Sequence, residues 1–310
     1  MNVEYAIIVK NKTRLEVLIE RFNTKAQAKF YIERSGGNFE DYEVEDRIFH
    51  ESLSLIQRQL SKVIKNKIIE RAYVPSFIFS KDQVVIVVGQ DGLVANTAKY
   101  VNEIPIVAVN PDTARYDGYL LPFDKHNFIR GVRDVISGGY KFRSVTLAEA
   151  VLNDKQRLLA FNDLFIGAST HISARYQISF GASSEQQSSS GIIVSTKAGS
   201  TGWLSSIFNM TAGMHNFVTH HDEKKRTLRL KDDQLMFVVR EPFESKVTQA
   251  GLMAGIITGK SKLVVESLMP TKGVIFSDGI ETDFLNFNSG SIATIRSAKE
   301  HAKLVIAVSK

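Results

Sequence analysis

The first 139 residues alternate between short apolar runs and longer segments with apolar residues at helical spacing. The run at residues 84–88 is wholly apolar and rich in β-branched residues, which is typical of a strand buried on both faces of a parallel sheet. Further strands are predicted at residues 3–9 and 104–109. Helices are predicted at residues 13–22, 25–35, 49–65, 93–100 and 128–136. This alternation predicts an open, Rossmann-like parallel α/β sheet covered by helices.

Beyond Gly138-Gly139 the apolar runs become shorter and are separated by Gly, Asp and Ser clusters. This spacing is typical of antiparallel strands in a sandwich or barrel. The predicted strands are residues 158–161, 164–166, 176–180, 192–194, 235–239, 263–265, 274–276, 292–295 and 304–308. We therefore predict an α/β domain at 1–139 and an all-β, sandwich-like domain at 140–310. The polar segments 38–46 and 183–190 are predicted to be loops.

Composition narrows the functional classes. The absence of cysteine excludes disulfides and thiolate metal sites. No basic N-terminal leader and no membrane-length apolar window is present, so we expect a cytoplasmic protein without a membrane partner. The net charge of +6 suits anionic ligands such as nucleotides. Because the basic residues are scattered and the cluster 224–226 has the pattern of a solvated turn, we expect no nucleic-acid partner.

A candidate anion site follows the strand at 84–88, where Gly89, Gln90, Asp91 and Gly92 lead directly into a helix. Backbone N–H groups and the positive end of a helix dipole converge at such a junction, and glycine lets a phosphate approach the main chain. A carboxylate at this position suits proton transfer or metal binding. A plain βα turn is the alternative. Asn110 ends the next strand, and ligands bind beyond the carboxyl ends of parallel strands.

Four stretches, in this order along the chain, resemble motifs of the NAD kinase family, whose superfamily also holds diacylglycerol-kinase-like enzymes. They are Gly-Gln-Asp-Gly at 89–92, Asn-Asp at 162–163, Ser-Thr-Lys-Ala-Gly-Ser-Thr-Gly-Trp at 195–203, and Ser-Asp-Gly at 277–279. The segment Gln-Ser-Ser-Ser-Gly at 187–191 is closer to the divergent mitochondrial-type branch, where most NAD kinases carry Asp in place of Ser190. The family fold is an α/β domain followed by an all-β domain.

The resemblance implies an enzyme that moves the terminal phosphate of ATP, or of a related donor, to the 2′-hydroxyl of the adenosine ribose of NAD, giving NADP. It implies that Asp91 is the base, that Mg²⁺ is held largely by the donor's phosphates, and that the protein is a homo-oligomer. The implied nucleotide-binding residues are Gly89, Gln90, Gly92, Leu93, Asn110, Asn162, Asp163, Ser190, Thr196, Gly199, Ser200, Thr201, Gly202, Ser206, Asp278 and Gly279.

This sequence departs from the family pattern at the phosphate loop, where Gln90 replaces a glycine and Leu93 replaces a threonine. If Gln90 adopted a positive φ, the strain would cost about 1 kcal/mol or more. Lys197-Ala198 also stands where the family has Pro-Thr. These changes weaken the inference about the ATP half of the site more than the inference about the NAD half.

Two other functions therefore stay open: a dinucleotide-binding protein without kinase activity, and a kinase for another hydroxyl substrate such as a nucleoside, sugar or lipid. Two other polar groups are given structural interpretations. Asp112 and Asp117, on either side of Arg115, are predicted to form a solvent-facing salt bridge. The sequence His-His-Asp at 220–222 is predicted to be solvated rather than to bind a metal.

Overall fold

The computed structural model describes residues 3–220 and 228–307. The chain forms two compact units: Met1–Ser144 with Ala302–Lys310, and Val145–His301. The predicted second domain, 140–310, is therefore wrong at its C-terminal end. The physical reason is strand pairing, since Lys303 and Leu304 pair in parallel with Pro105 and Ile106 of the first unit.

The first unit is a parallel sheet with helices. Its elements are β1 (Tyr5–Lys10), α1 (Arg14–Phe22), α2 (Lys25–Arg34), α3 (Glu40–Leu60), β2 (Lys65–Glu70), β3 (Gln83–Val88), α4 (Asp91–Ala98), β4 (Pro105–Asn110), β5 (Phe123–Asp124) and α5 (Phe128–Ser137). The strand order is β2-β1-β3-β4, all parallel, and β5 also pairs in parallel with β4. A short 3-10 helix, Arg71–Ser76, follows β2 directly.

The core of the first unit confirms the parallel α/β prediction. All six residues of β4 are buried, as are the five residues Val84 to Val88 of β3. The apolar stripe of α3, which includes Leu53, Ile56 and Leu60, packs into the same apolar cluster as these strands. Central parallel strands covered by helices are expected to be apolar on both faces.

The sequence failed at the start and end of α3. The predicted loop at 38–46 is wrong, because α3 begins at Glu40, and Glu40, Asp41 and Glu43 place negative charge at the positive end of its dipole. The predicted C-terminal end at residue 65 is also wrong. Residues Lys65–Glu70 form β2 at the end of the strand order, where exposed lysines alternate with less exposed residues and hide the strand pattern.

The second unit is built from antiparallel strands. Its elements, including those continuous with the first unit, are β6 (Phe142–Leu152), β7 (Arg157–Ala160), β8 (Asp163–Ala168), β9 (Ala174–Phe180), β10 (Ser183–Ser189), β11 (Ile192–Ser195), α6 (Trp203–Thr219), β12 (Leu235–Val239), β13 (Ala254–Ile257), β14 (Leu263–Ser267), β15 (Gly273–Ser277), β16 (Ile280–Asn286) and β17 (Ile292–Val305). One sheet has the order β10-β9-β14-β17 with the β6–β7 hairpin, and the other has the order β13-β12-β11-β8-β15-β16.

The two sheets of the second unit share one apolar core, which confirms the sandwich-like prediction. Tyr176 and Ile178 of β9 belong to the same buried cluster as Ile166 of β8, Val194 of β11 and Phe237 of β12. Inward residues alternate with outward ones along these strands, as two packed sheets require.

The second unit differs from the sequence prediction at β10 and α6, and its strands β6, β13 and β16 were not predicted either. The predicted loop 183–190 is largely a strand, because β10 pairs with β9 along its whole length. The polar residues in its last three positions are buried and hydrogen-bonded. The Tyr176 hydroxyl donates to Gln187 Oε1 at 3.1 Å and lies 2.6 Å from Ser189 Oγ. The 17-residue helix α6 was not predicted. Among residues 3–220 and 228–307, no helix is both long enough and apolar enough to span a membrane.

Candidate functional site

The β3–α4 junction is unstrained at Gln90. This residue precedes α4 with φ −105° and ψ 168°, an extended conformation that any side chain adopts, so the strain considered for a positive φ does not arise. Gly89 has no positive φ, and its close neighbour is the side chain of Leu93. A Cβ on Gly89 would lie 2.8 Å from Cδ2 of Leu93, so the buried leucine side chain occupies the space above the glycine.

Asp91 is the first residue of α4, and its carboxylate is already oriented by the backbone. Oδ1 accepts a hydrogen bond from the N–H of Leu120 at 2.8 Å, and Oδ2 accepts one from the N–H of Tyr119 at 3.2 Å. Each carboxylate oxygen carries two lone pairs, so each retains one for another donor such as a hydroxyl. Asp91 therefore holds the 119–120 loop in place and can still accept a hydrogen bond or a proton from a ligand.

The first turn of α4 leaves donors for an anion. The N–H groups of Leu93 and Val94 donate to the carbonyl oxygen of Gln90 at 2.9 and 3.3 Å. Within the described residues, the N–H groups of Asp91 and Gly92 donate to no protein acceptor. Unsatisfied N–H groups at a helix start attract phosphates and carboxylates.

A cavity of about 430 Å³ lies beside this turn, entirely within the first unit. Its wall combines the β3–α4 junction with residues that follow β1, β2 and β4, and with side chains of α3. The lining residues are Asn11, Lys12, Thr13, Arg14, Glu45, Phe49, Arg71, Val88, Gly89, Gln90, Gly92, Leu93, Asn96, Pro111, Asp112 and Tyr116. Asp91 is not among them, although Gln90 and Gly92 on either side of it are.

Three cations in this wall, Lys12, Arg14 and Arg71, were missed by the sequence reasoning. The signal was present but weak: Lys12 follows the end of β1 by two residues, and Arg71 follows β2 directly. Since parallel strands present their carboxyl ends at one edge, basic residues just after them are candidates for ligand contacts. The failure to recognise β2 concealed Arg71.

Asn110 has a structural part in its loop. Its Nδ2 donates to the carbonyl oxygen of Tyr116 at 2.9 Å, and its Oδ1 accepts from the N–H of Asp112 at 3.0 Å. Gly118, with φ +67°, lets this loop close, because a Cβ there would lie 2.8 Å from Asn110 Nδ2. Asn110 does not line the cavity, and its predicted contact with nucleotide stays a prediction.

The ion pair between Asp112 and Arg115, beside this loop, has a structural role. Arg115 Nε lies 3.5 Å from Asp112 Oδ2, and the same guanidinium lies 3.5 Å from Glu45 Oε2. This confirms the predicted salt bridge for Asp112. Asp117 is exposed and takes no part in it.

In the second unit, the Asp278 carboxylate organises the segment before β8. It accepts backbone N–H hydrogen bonds from Phe161 at 3.0 Å, Asn162 at 2.6 Å and Asp163 at 3.3 Å. Asp278 and Gly279 have φ of +54° and +70°, and they form the turn between β15 and β16. The late Asp-Gly pair is thus a hairpin turn that also fixes the Asn162-Asp163 pair.

Thr196 and Gly199 hold the next loop against Asn162. The Thr196 hydroxyl donates to the carbonyl oxygen of Phe161 at 2.6 Å and accepts from the N–H of Gly199 at 3.1 Å, while the Thr196 N–H donates to the carbonyl oxygen of Asn162 at 2.9 Å. A Cβ on Gly199 would lie 2.6 Å from the carbonyl carbon of Asn162. Only glycine fits this close approach of two backbones.

The structure brings together most of the residues assigned to NAD in the second unit. Ser200 lies in the 3-10 helix Ala198–Thr201, and its hydroxyl donates to the carbonyl oxygen of Lys197 at 2.7 Å. Thr201 and Gly202 are exposed at the start of α6, as is Ser206 one turn later, and the half-buried Asn162 lies beneath this loop through its contact with Gly199. Ser200, Thr201 and Gly202 therefore lie in one loop that packs on Asn162 through Gly199, and Ser206 follows in α6.

Ser190 is the exception. It precedes β11, whereas Ser195 ends that strand, and the pairing of Ile192 with Ile166 and of Ser195 with Asp163 places Ser190 beyond the opposite end of the strand from Asn162. Ser190 instead lines a second cavity of about 920 Å³, together with Trp203 and Arg240. There the Arg240 guanidinium lies 5.5 Å from the Trp203 ring, which is stacked on Phe165.

Asp163 is a buried carboxyl group. Burial, with a contribution from the neighbouring Asp278 carboxylate, raises the pKa of Asp163 from 3.8 to about 7. Desolvation disfavours the charged form, and a second negative charge disfavours it further. Near neutral pH the group is therefore poised between a hydrogen-bond donor and a carboxylate.

This pKa predicts an unusual pH dependence of stability for an aspartate. Between about pH 4 and pH 7 the native state holds the Asp163 proton more tightly than the unfolded state, so stability is lost as pH rises through this window. We expect the Asp163→Asn variant to gain stability relative to wild type from pH 4 to pH 8, by up to about 4 kcal/mol. Urea unfolding across this range measures the difference. Asp233→Asn, an exposed control in the same unit, should show no such trend; a flat difference for Asp163→Asn would contradict the buried, destabilised carboxylate.

Two predicted groups lie wholly or partly outside the described residues. The basic cluster 224–226 lies outside the described residues. So do His221 and Asp222 of the His-His-Asp sequence that was predicted to be solvated. His220 ends α6. Among described residues, Glu16, Asp46 and His50 place potential metal ligands within 4.8 Å of one another, but Lys10 Nζ already lies 3.3 Å from Glu16 Oε1.

Comparison with known proteins gives a result from structure alone. No protein-family model matches the chain, and no curated protein matches it by sequence. The yeast NADH kinase complexed with NADH superposes with a TM-score of 0.61 at 13% identity, over 99% of this chain and 85% of that one. An NAD kinase from Archaeoglobus fulgidus in complex with ATP gives a TM-score of 0.55 at 13% identity, over 97% of this chain and 93% of that one.

The chain therefore has the two-part fold of NAD kinases, an α/β unit with a sandwich-like β unit. The likeness extends over almost the whole chain. At this level of identity it defines the fold and leaves the activity to be argued from the residues.

Proposed function

We propose that the protein is an NAD kinase-like phosphotransferase that moves the terminal phosphate of ATP, or of a related donor, to the 2′-hydroxyl of the adenosine ribose of NAD. The observation that supports this most is the β3–α4 junction: a carboxylate held in place by two N–H groups, next to free helix N–H groups and a cation-lined cavity. The NAD kinase fold adds a precedent, since the two related structures contain NADH and ATP.

The proposed chemistry is one in-line displacement. The 2′-oxygen forms a bond to the terminal phosphorus, the bond from that phosphorus to the bridging oxygen breaks, and ADP leaves with the bonding electron pair. The hydroxyl proton goes to the Asp91 carboxylate. A neutral alcohol is a weak nucleophile, so this proton transfer has to accompany phosphoryl transfer.

The donor is assigned to the first unit. Gly92 and the start of α4 supply N–H groups, Gly89 and Gln90 line the same cavity, and Leu93 supports it by packing on Gly89. The carboxylates in this wall, Glu45 and Asp112, are paired with arginines, which fits Mg²⁺ being held mainly through the donor's phosphates. When bound, Mg²⁺ neutralises charge on the transferred phosphate.

The acceptor is assigned to the second unit. Asn162 presents an amide, Asp163 a carboxyl group of raised pKa, and Thr201, Gly202 and Ser206 an exposed polar surface at the start of α6. Amide and carboxyl groups of this kind bind adenine edges and ribose hydroxyls. Thr196, Gly199 and Asp278 position them through backbone contacts. Small nucleotides as the sole ligands, a cytoplasmic location and a homo-oligomer stay predictions.

A coupled assay tests this proposal. The wild-type protein is incubated with Mg-ATP and, in separate reactions, with NAD, NADH, a nucleoside or a sugar; NADP from the NAD reaction is detected with an NADP-specific dehydrogenase, and ADP release is measured in all reactions. We expect NADP from NAD, in amounts that match the ADP. Tight NAD binding without turnover would instead support a binding protein, and ADP release with only the nucleoside or sugar would support another kinase.

A further inference from the structure

We propose that Arg71 is the side chain that anchors the polyanionic phosphate chain of the donor in the cavity of the first unit. This inference deepens the proposed function and rests on it for the identity of the reaction. It concerns a residue that the sequence motifs do not contain. The argument comes from the charges that line the cavity and from how each of them is already used.

Of the three cations in the cavity wall, two form ion pairs with carboxylates of the protein. Lys12 forms a close ion pair with Glu20 and lies 3.8 Å from Glu70. Arg14 forms a close ion pair with Glu45 and covers the ring of Tyr42 at 4.5 Å. Their charges are therefore largely compensated before any ligand arrives.

Arg71 is different. It is half-buried, and across residues 3–220 and 228–307 no carboxylate lies within 4.0 Å of its guanidinium and no acceptor takes a hydrogen bond from it. The nearest acidic residue in sequence, Glu70, is shared by Lys10 and Lys12. A partly buried cation without a partner gains from an anion that enters the cavity, and a guanidinium binds phosphate oxygens in bidentate fashion.

The position of Arg71 suits a phosphate chain. Arg71 is the first residue after β2, and Gly89 is the first residue after β3. Both strands pair in parallel with β1, which lies between them. Their last residues, Glu70 and Val88, are both opposite Lys10. Arg71 and Gly92 line the same cavity. A ligand with several linked phosphates extends further across this cavity than a single phosphate and is therefore better suited to reach both residues.

The same cavity also has aromatic lining residues that could contact a nucleoside. Phe49 and Tyr116 line it together with Pro111, and aromatic rings are common partners of a base. Nucleoside triphosphate and inorganic polyphosphate share the phosphate chemistry that Arg71 would recognise. The aromatic wall favours the nucleotide, and the experiment separates the two sources.

The test is direct binding, without turnover. Calorimetry with Mg-AMP-PNP and, separately, with Mg-tripolyphosphate is carried out on wild type, Arg71→Ala, Arg71→Lys and Arg58→Ala. Arg58 is the matched control, because it is an exposed arginine of α3 that does not line this cavity. We expect Arg71→Ala to weaken both ligands by roughly 10- to 100-fold, the effect of losing a charge-assisted hydrogen bond. Arg71→Lys should recover part of this loss, and Arg58→Ala should bind like wild type.

Thermal unfolding of each variant shows whether the fold is intact. Equal ligand affinity in wild type and Arg71→Ala would overturn the inference, as would equal losses in Arg71→Ala and Arg58→Ala, or no binding of either ligand to wild type. Tighter binding of AMP-PNP than of tripolyphosphate identifies the nucleotide as the donor class. The Arg71→Ala substitution could weaken the binding of AMP-PNP while the wild-type protein forms no NADP. That result would support Arg71 as a phosphate-binding residue and contradict NAD as the acceptor.

Discussion

Replacing Asp91 with asparagine should lower NADP formation by about 10²- to 10⁴-fold, the range that general-base catalysis supplies. The amide has nearly the same shape as the carboxylate, and its one oxygen still accepts a hydrogen bond from the 119–120 loop. It cannot take the proton of the ribose hydroxyl. We therefore expect a loss in kcat with NAD affinity within about threefold of wild type, measured by the coupled assay and by equilibrium binding.

The matched control for this variant is Asp117→Asn, which changes an exposed aspartate of the adjoining loop. It should keep the wild-type rate. Asp91→Asn should also lose some stability, about 1 kcal/mol, because one of the two hydrogen bonds from the Tyr119 and Leu120 N–H groups is lost. A lower stability with an unchanged rate would mean that Asp91 serves the loop only, and that another group is the base.

Replacing Gly199 with alanine should destabilise the second unit by about 3 kcal/mol, which is typical of an added methyl group in a space closed by backbone. The new Cβ would lie 2.6 Å from the carbonyl carbon and 2.8 Å from the Cα of Asn162. To relieve this, the 195–202 loop has to move away from Asn162. Because these two segments form the proposed NAD surface, we expect at least a tenfold loss of NAD affinity in the folded fraction.

The control is Gly213→Ala in α6, where a Cβ meets no atom within 4 Å. An exposed helical glycine is about 1 kcal/mol less favourable than alanine, so this variant should be slightly more stable than wild type. Chemical denaturation and NAD titration measure both variants. If Gly199→Ala matched wild type in stability and affinity, the close packing of Gly199 on Asn162 would be disproved.

The fold was predictable where burial alone determines the pattern. The apolar run of β3 and the short apolar runs of β8, β11 and β12 correspond to observed strands. The sequence misled where tertiary contacts override local pattern. Strand β10 is polar because its buried groups bond to Tyr176, and the acidic residues at the start of α3 stabilise a helix rather than a loop.

The candidate site shows the same division. The phosphate-loop motif lies at a strand–helix junction, as its pattern predicted. The role of Asp278 could not be predicted from the sequence, because its three backbone partners, at 161–163, are more than 110 residues away along the chain. Arg71 was also hidden. Its importance comes from the neutralisation of Lys12 and Arg14 by other elements, which depends on packing rather than on spacing along the chain.

The central claim is that the protein transfers a phosphoryl group to the 2′-hydroxyl of NAD. Phosphorus NMR of a single mixture of protein, NAD and Mg-ATP follows this reaction without any coupling enzyme. The account predicts a new phosphomonoester resonance for the 2′-phosphate, which grows as the γ-phosphate of ATP is lost and ADP appears in equal amount. An unchanged spectrum, or ATP converted only to ADP and inorganic phosphate while NAD is bound, would contradict it.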